Sequence, residues 1–161
     1  LQSEQSRLAH AQALLDGASR RMRALTGFDF VSLTISTADG DAHSESSRGR
    51  LAPKLPSHSP AELPAIVVDS EAETVPLFPR QPDDKAPLHA LLRAPTPNAL
   101  EELRAAGIRS VLNLPLMEGE QAIGCFSCAN RVPAEPTFEL HAAAELFSQV
   151  FAMQMKSGRG G

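Results

Sequence analysis

Two cysteines, five histidines and a few acidic pairs are the residues of this 161-residue chain whose types suit chemistry. Cys125 and Cys128 form a Cys-x-x-Cys pair. A zinc site built on it needs two further ligands at matching geometry, and the sequence holds no second cysteine pair. A redox dithiol belongs at a helix N-terminus, where the thiolate is stabilised. These cysteines fall in a stretch that reads as a strand, where positions three apart point to opposite faces. His10, His43, His58, His89 and His141 lie on five different elements with no short ligand spacing. No His-Glu-x-x-His, Gly-x-Ser-x-Gly or phosphate-loop motif occurs. Asp83-Asp84 and Glu101-Glu102 are sequence neighbours, so their side chains diverge and read as solvated surface. The expectation is a protein that is not an enzyme and holds no metal.

Composition bounds the remaining possibilities. Apolar content of 42% and charged content of 21% describe an ordinary globular chain. Its length suits a single domain, expected over residues 1–157 with a flexible tail at 158–161. A formal charge of −4 without a dense basic stripe argues against nucleic acid as a partner. No stretch approaches the ~18–20 apolar residues of a membrane span, and the first residues lack the pattern of a signal peptide. Two cysteines make no disulfide framework, which fits a reducing, cytoplasmic setting. The chain starts without methionine and ends in Ser157-Gly158-Arg159-Gly160-Gly161, so it reads as a piece of a longer protein.

Periodicity places the elements. Leu1, Leu8, Leu15 and Met22 recur every seven residues, with Ala11, Ala18 and Leu25 interleaved, so residues 1–25 read as a helix. Its seam suits either a coiled-coil-like partner or the chain's own sheet. A strand over 28–37 and a polar edge strand over 42–50 flank the Asp39-Gly40 turn. Residues 51–64 carry four prolines and exclude a central strand. Ile66 to Asp69 reads as a short buried strand, and residues 87–93 as a short helix. Asn98 to Leu103 opens another helix, and Gly107 suits its left-handed end. Alternation over 108–117 and 122–129 around Glu118-Gly119-Glu120 gives a hairpin. The last helix, 137–156 with Thr137 as its cap, is apolar on two stripes. One is Leu140, Ala144, Phe147, Phe151 and Met155; the other is Ala143, Leu146, Val150 and Met153. One stripe suffices to cover a sheet, so the second faces either a second subunit or neighbouring loops.

Several of these stretches resemble the GAF domain of phytochromes. Leu92-Arg93-Ala94-Pro95-Thr96-Pro97, Ala106-Gly107-Ile108 and Ile123-Gly124-Cys125-Phe126-Ser127-Cys128-Ala129-Asn130 follow the frame of its LR-x-x-SP, N-MG-V and W-G-L-x-x-CHH motifs. Leu25-Thr26-Gly27-Phe28-Asp29 is similar to its L-TGFD segment, and Ser57 to Pro64 to a shortened HYPASDIP loop. Ile66 to Asp69 followed by Val75-Pro76-Leu77-Phe78-Pro79 completes the likeness. The fold implied is α+β: an antiparallel sheet of about five or six strands, with the N- and C-terminal helices packed on one face.

In that family a linear tetrapyrrole, a bilin, is held by arginines on its propionates, by two histidines and by a cysteine anchor. Arg93 matches a propionate arginine, and His58 stands in the loop matching the family's aspartate segment. Ala99 stands where a histidine is expected, Leu100 at a cysteine anchor, Ala129 and Asn130 at the paired histidines, and Ala65 near the other arginine. Buried carboxylates and polar edges without partners are costly, so no cofactor is expected. The alternative is biliverdin or another linear tetrapyrrole bound without a covalent anchor. The resemblance further implies a sensory and dimerisation module of a bacterial phytochrome-like signalling protein, upstream of a kinase or cyclic-dinucleotide output domain. Its homodimer interface is expected on the terminal helices, at Leu8, Leu15, Met22, Phe147 and Phe151.

Overall fold

The computed structural model describes residues 2–49, 66–71 and 97–159. Its elements are α1 (Gln2–Thr26), β1 (Phe30–Thr37), β2 (Gly40–Ser47), β3 (Ile66–Val67), α2 (Pro97–Ala105), β4 (Ser110–Glu118), β5 (Gln121–Asn130) and α3 (Phe138–Arg159). The five strands form one sheet in the order β2-β1-β5-β4-β3, with antiparallel neighbours throughout. The expected α+β architecture is therefore present, and both terminal helices lie on one face.

Two local rules build this sheet. Glycines with positive φ, Gly40 at 125° and Gly119 at 63°, turn the chain in the β1–β2 and β4–β5 hairpins. Side-chain alternation then separates two faces. Val31, Leu33 and Ile35 of β1 face the terminal helices, while Phe30 faces the other way. The irregular alternation between Phe30 and Leu33 is thus a change of face within a regular strand.

The helix-side core joins Leu15, Ala18 and Met22 of α1 with Ala144, Phe151 and Ala152 of α3 over Val31, Leu33, Leu112, Leu114 and Phe126. Phe126 is fully buried, with the Phe151 ring edge-on to it at 5.7 Å and Phe147 at 6.0 Å. Leu15, Met22 and Phe151, expected at a dimer interface, therefore belong to the core of this chain. Phe147 packs beside them, and Leu8 alone of the five lies in the open, 63% exposed. The heptad seam of α1 is satisfied intramolecularly from Leu15 to Met22, while Leu8 and Leu25 on either side are exposed.

Two features differ from the sequence reading. β2 is an edge strand, as expected, but Ser44 and Ser46 are buried under α1, so one of its faces is dry. The last helix runs to Arg159 and includes residues 158 and 159, assigned to the tail, because nothing before them breaks the helical period. Thr137 caps α3 as expected, its Oγ1 accepting the Leu140 N–H at 3.2 Å. The proline-rich 51–64 stretch, the 87–93 helix and residues 160–161 lie outside the described residues.

β1 and β5 are distant in sequence, and Gly124 sets how closely they approach. A Cβ added there would collide with the Thr34 carbonyl oxygen and lie 3.1 Å from Ile35 Cα. Both obstacles are backbone and cannot rotate away. Gly124→Ala is expected to lower stability by about 1–3 kcal/mol, the range for overpacking. An earlier urea midpoint with an unchanged slope is the measurement that checks this.

Candidate functional site: the second face of the sheet

The sheet face turned away from the terminal helices is divided in two by its sequence. Its apolar half joins Phe30, Val67, Val111 and Ala129 to Leu100 and Leu103 of α2 and to Ile108. α2 reaches this face because Gly107, at φ 73°, ends it, and the Ile108 N–H closes onto the Leu103 carbonyl at 2.9 Å. Leu100 and Ala129, 5% and 1% exposed, share one close-packed cluster.

The polar half follows from register. Thr34 stands opposite His43 on one side and Cys125 on the other. One row along, Ser32 stands between Glu45 and Ser127, and Ser127 opposite Asn113. Thr34 Oγ1 and His43 Nδ1 are 3.1 Å apart, and His43 Nε2 is 2.9 Å from Glu45 Oε1. Hydroxyl, imidazole and carboxylate in that order are the parts of an activated nucleophile. The imidazole and carboxylate are 49% and 47% exposed, however, and water competes for both. What the chain of contacts offers is hydrogen bonding to a polar ligand. Sequence reading treated His43 as isolated. The signal was present: a two-residue loop at Ala38-Asp39 sets Thr34 against His43, and Glu45 follows on the same face.

The cysteines behave as the strand reading requires. Cys128 joins the helix-side core, and Cys125 lies on the second face. Burial pushes the Cys125 thiol up to about 11, despite the neighbouring Ser127 hydroxyl, and that of Cys128 up to about 12. Burial thus favours the neutral thiol at both positions and makes each a poor nucleophile near neutral pH.

At one end of the sheet, Asn130 Oδ1 accepts the Asp29 N–H at 2.7 Å, and the Asn130 carbonyl accepts the Arg109 N–H at 2.8 Å. Asn130 is thereby committed to joining the start of β1 to the end of β5. A cleft of about 140 Å³ opens beside it, between Asp29, Arg48 and Arg131. Pockets for drug-sized ligands span ~300–1,000 Å³, and this cleft is smaller. Arg93 and His58 lie outside the described residues. Among the described residues no group of three or more His, Cys, Asp or Glu is arranged to hold a metal. No described helix is long and apolar enough to cross a membrane.

At the opposite edge, a side-chain clamp fixes the short β3 and the turn after it. Arg109 donates from Nε and Nη2 to the two oxygens of Asp69 at 2.7 and 2.8 Å, and its Nη1 lies 3.2 Å from Glu71. Ser70, fully buried, donates to the Ile108 carbonyl at 2.6 Å, and Arg104 Nε donates to the Ser70 carbonyl at 2.6 Å. The paired Arg109 guanidinium is the main cause that holds the Asp69 carboxyl down at about 2.

With this geometry established, comparison with known proteins is decisive at the level of family. The model of the GAF domain matches residues 10–156. The chain belongs to the GAF family. Solved structures with this fold include the chromophore-binding domain of an unusual bacteriophytochrome from R. palustris, at TM-score 0.74 and 23% identity over 92% of this chain and 56% of that one. The photosensory core module of Stigmatella aurantiaca phytochrome matches at TM-score 0.68 and 20% identity, over 92% of this chain and 33% of that one. This GAF domain thus spans about half of the first and a third of the second. At such identities the likeness is one of fold, and it agrees with the phytochrome-type frame of the sequence.

The clamp makes a pH prediction. Folding holds the Asp69 carboxyl at about 2 against an ordinary 3.8, so the unfolded chain takes up the proton first as pH falls. The stability contributed is complete above about pH 4 and is lost as pH falls toward 2. In Asp69→Asn this part of the acid limb should disappear, leaving a shallower fall of urea midpoint between those pH values.

Proposed function

We propose that this GAF domain is a non-catalytic sensory and dimerisation module of a bacterial, cytoplasmic, phytochrome-like signalling protein, and that it does not hold a bilin. One observation carries the reading. Leu100 and Ala129, which stand where the phytochrome pattern has an anchoring cysteine and a histidine, are packed together in an apolar cluster under α2. A bilin brings two carboxylates and a polar ring edge, and the described residues of this cluster are all apolar. Asn130, at the second histidine, has its side-chain oxygen engaged by the Asp29 N–H.

A visible spectrum tests the reading. Purified domain mixed with biliverdin and desalted is expected to retain no red-absorbing band. A retained band that changes on illumination would overturn it in favour of a non-covalent bilin photosensor, for which Arg93 and His58 are the available partners. The polar row of Ser32, Thr34, Ser127 and Asn113 favours, as a second reading, a sensor of a smaller polar ligand.

The module is proposed to form a homodimer through its terminal helices, with a kinase or cyclic-dinucleotide output domain elsewhere in the full-length protein. What supports a self-partner is the second stripe of α3. Ala143, Leu146, Val150 and Met153 repeat at intervals of three and four, the spacing of a coiled-coil seam. Leu146, Val150 and Met153 are 62%, 46% and 68% exposed. Leu146→Glu combined with Met153→Glu should convert dimers to monomers in light scattering without altering the circular dichroism spectrum. Native protein that is already monomeric at high concentration removes the dimer proposal.

A further inference from the structure

β2 carries polar side chains on both of its faces. His43 and Glu45 look onto the second face, where His43 contacts Thr34 and Glu45. Ser44 and Ser46, the alternate residues, lie beneath α1 and are 4% and 7% exposed. Four hydrogen bonds run from this short strand to the helix. Gln12 Nε2 donates to the His43 carbonyl at 3.1 Å, and the Ser44 hydroxyl donates to Asp16 Oδ1 at 2.6 Å. The Ser19 and Ser44 hydroxyls are 3.1 Å apart, and Arg23 Nε donates to Ser46 Oγ at 2.9 Å. Gln12 also bonds Asp16, which joins the first two contacts.

We propose that β2 mechanically couples the second face of the sheet to α1, so that a change at His43 and Glu45 is passed by Ser44 and Ser46 to the position of the helix. The apolar contact between α1 and β1, through Leu15, Ala18 and Met22, is non-directional and tolerates small slides. The polar seam is directional and sets where α1 sits along the strand. Ser19 and Ser44 are too buried for water to replace their partners freely, so breaking the seam is more costly than moving the helix with it. β2 is also an edge strand with a single ladder partner, which leaves it freer to shift than β1 or β5. The four contacts follow one another along a single stripe of α1, from Gln12 through Asp16 and Ser19 to Arg23, so a displacement of β2 reaches nearly three turns of helix together.

The inference rests on the sensory reading only for its use, and its test needs neither chromophore nor partner, so the two can fail separately. Amide hydrogen exchange is measured over residues 12–23 in native protein and in His43→Ala/Glu45→Ala. The same comparison is repeated in a Ser44→Ala/Ser46→Ala background. In the native background the second-face substitution should change α1 exchange about fivefold, the effect of one hydrogen bond on a local opening equilibrium. Without the serine hydroxyls the change should fall below about twofold. No change in the native background, or equal changes in both, overturns the proposal. Should the serine-free protein not fold, Asp16→Ala with Arg23→Ala removes the helix-side partners of the seam and is judged by the same criterion.

Discussion

The close approach of β1 to β5 at Gly124 is the constraint on which the rest of this structure depends. It brings a strand from the first third of the chain against one from the last third, and so places α1 and α3 side by side over one continuous apolar face. The core of Met22, Phe126 and Phe151 exists only while that pairing holds. The same pairing aligns Thr34 with Cys125 and Ser32 with Ser127 on the reverse side. A single residue without a side chain therefore sets both the hydrophobic core and the layout of the candidate site.

The two faces divide the work of the domain. The helix-side face is filled by large apolar groups, and it gives the molecule most of its buried apolar surface. The reverse face is mixed, apolar beneath α2 and polar toward β2. Its apolar part is closed by Leu100 and Ala129, and its polar part carries His43 and Glu45 in partial contact with solvent. The terminal helices and the polar row are thus separated by one thickness of sheet, and β2 carries polar side chains toward both sides.

Much of this was legible in the sequence, for identifiable reasons. Asp39-Gly40, Gly107 and Gly119 announce their turns because the backbone there takes positive φ or lies just before it. Alternation around Cys125 and Cys128 placed the two thiols on opposite faces without any three-dimensional knowledge. Helix faces were harder. Leu15, Met22 and Phe151 have the spacing of an intermolecular seam, and spacing alone does not say whether a helix finds its partner within the chain or outside it. The buried polar contacts of Ser19 and Ser44 were invisible, since serine on an edge strand looks the same whether it meets water or a helix. The family frame was readable from Leu92 to Asn130, and Asn130 itself shows why the site was not. A residue that replaces a ligand-binding group can acquire a folding role, here bonding Asp29, which its type does not announce.

The clamp of Asp69, Glu71, Arg104 and Arg109 has an evolutionary consequence. β3 contributes only two residues to the sheet, and its position is secured by Arg104 at the end of α2 and by Arg109 just before β4. The anchorage is therefore independent of how many residues connect β3 to its neighbours in sequence. Because loop closure grows only logarithmically with length, doubling such a connection costs about 0.6 kcal/mol. The clamp itself places no constraint on the length of chain on either side of β3. A scaffold of this kind lets lineages change the length of chain around β3 while the sheet and both terminal helices stay as they are.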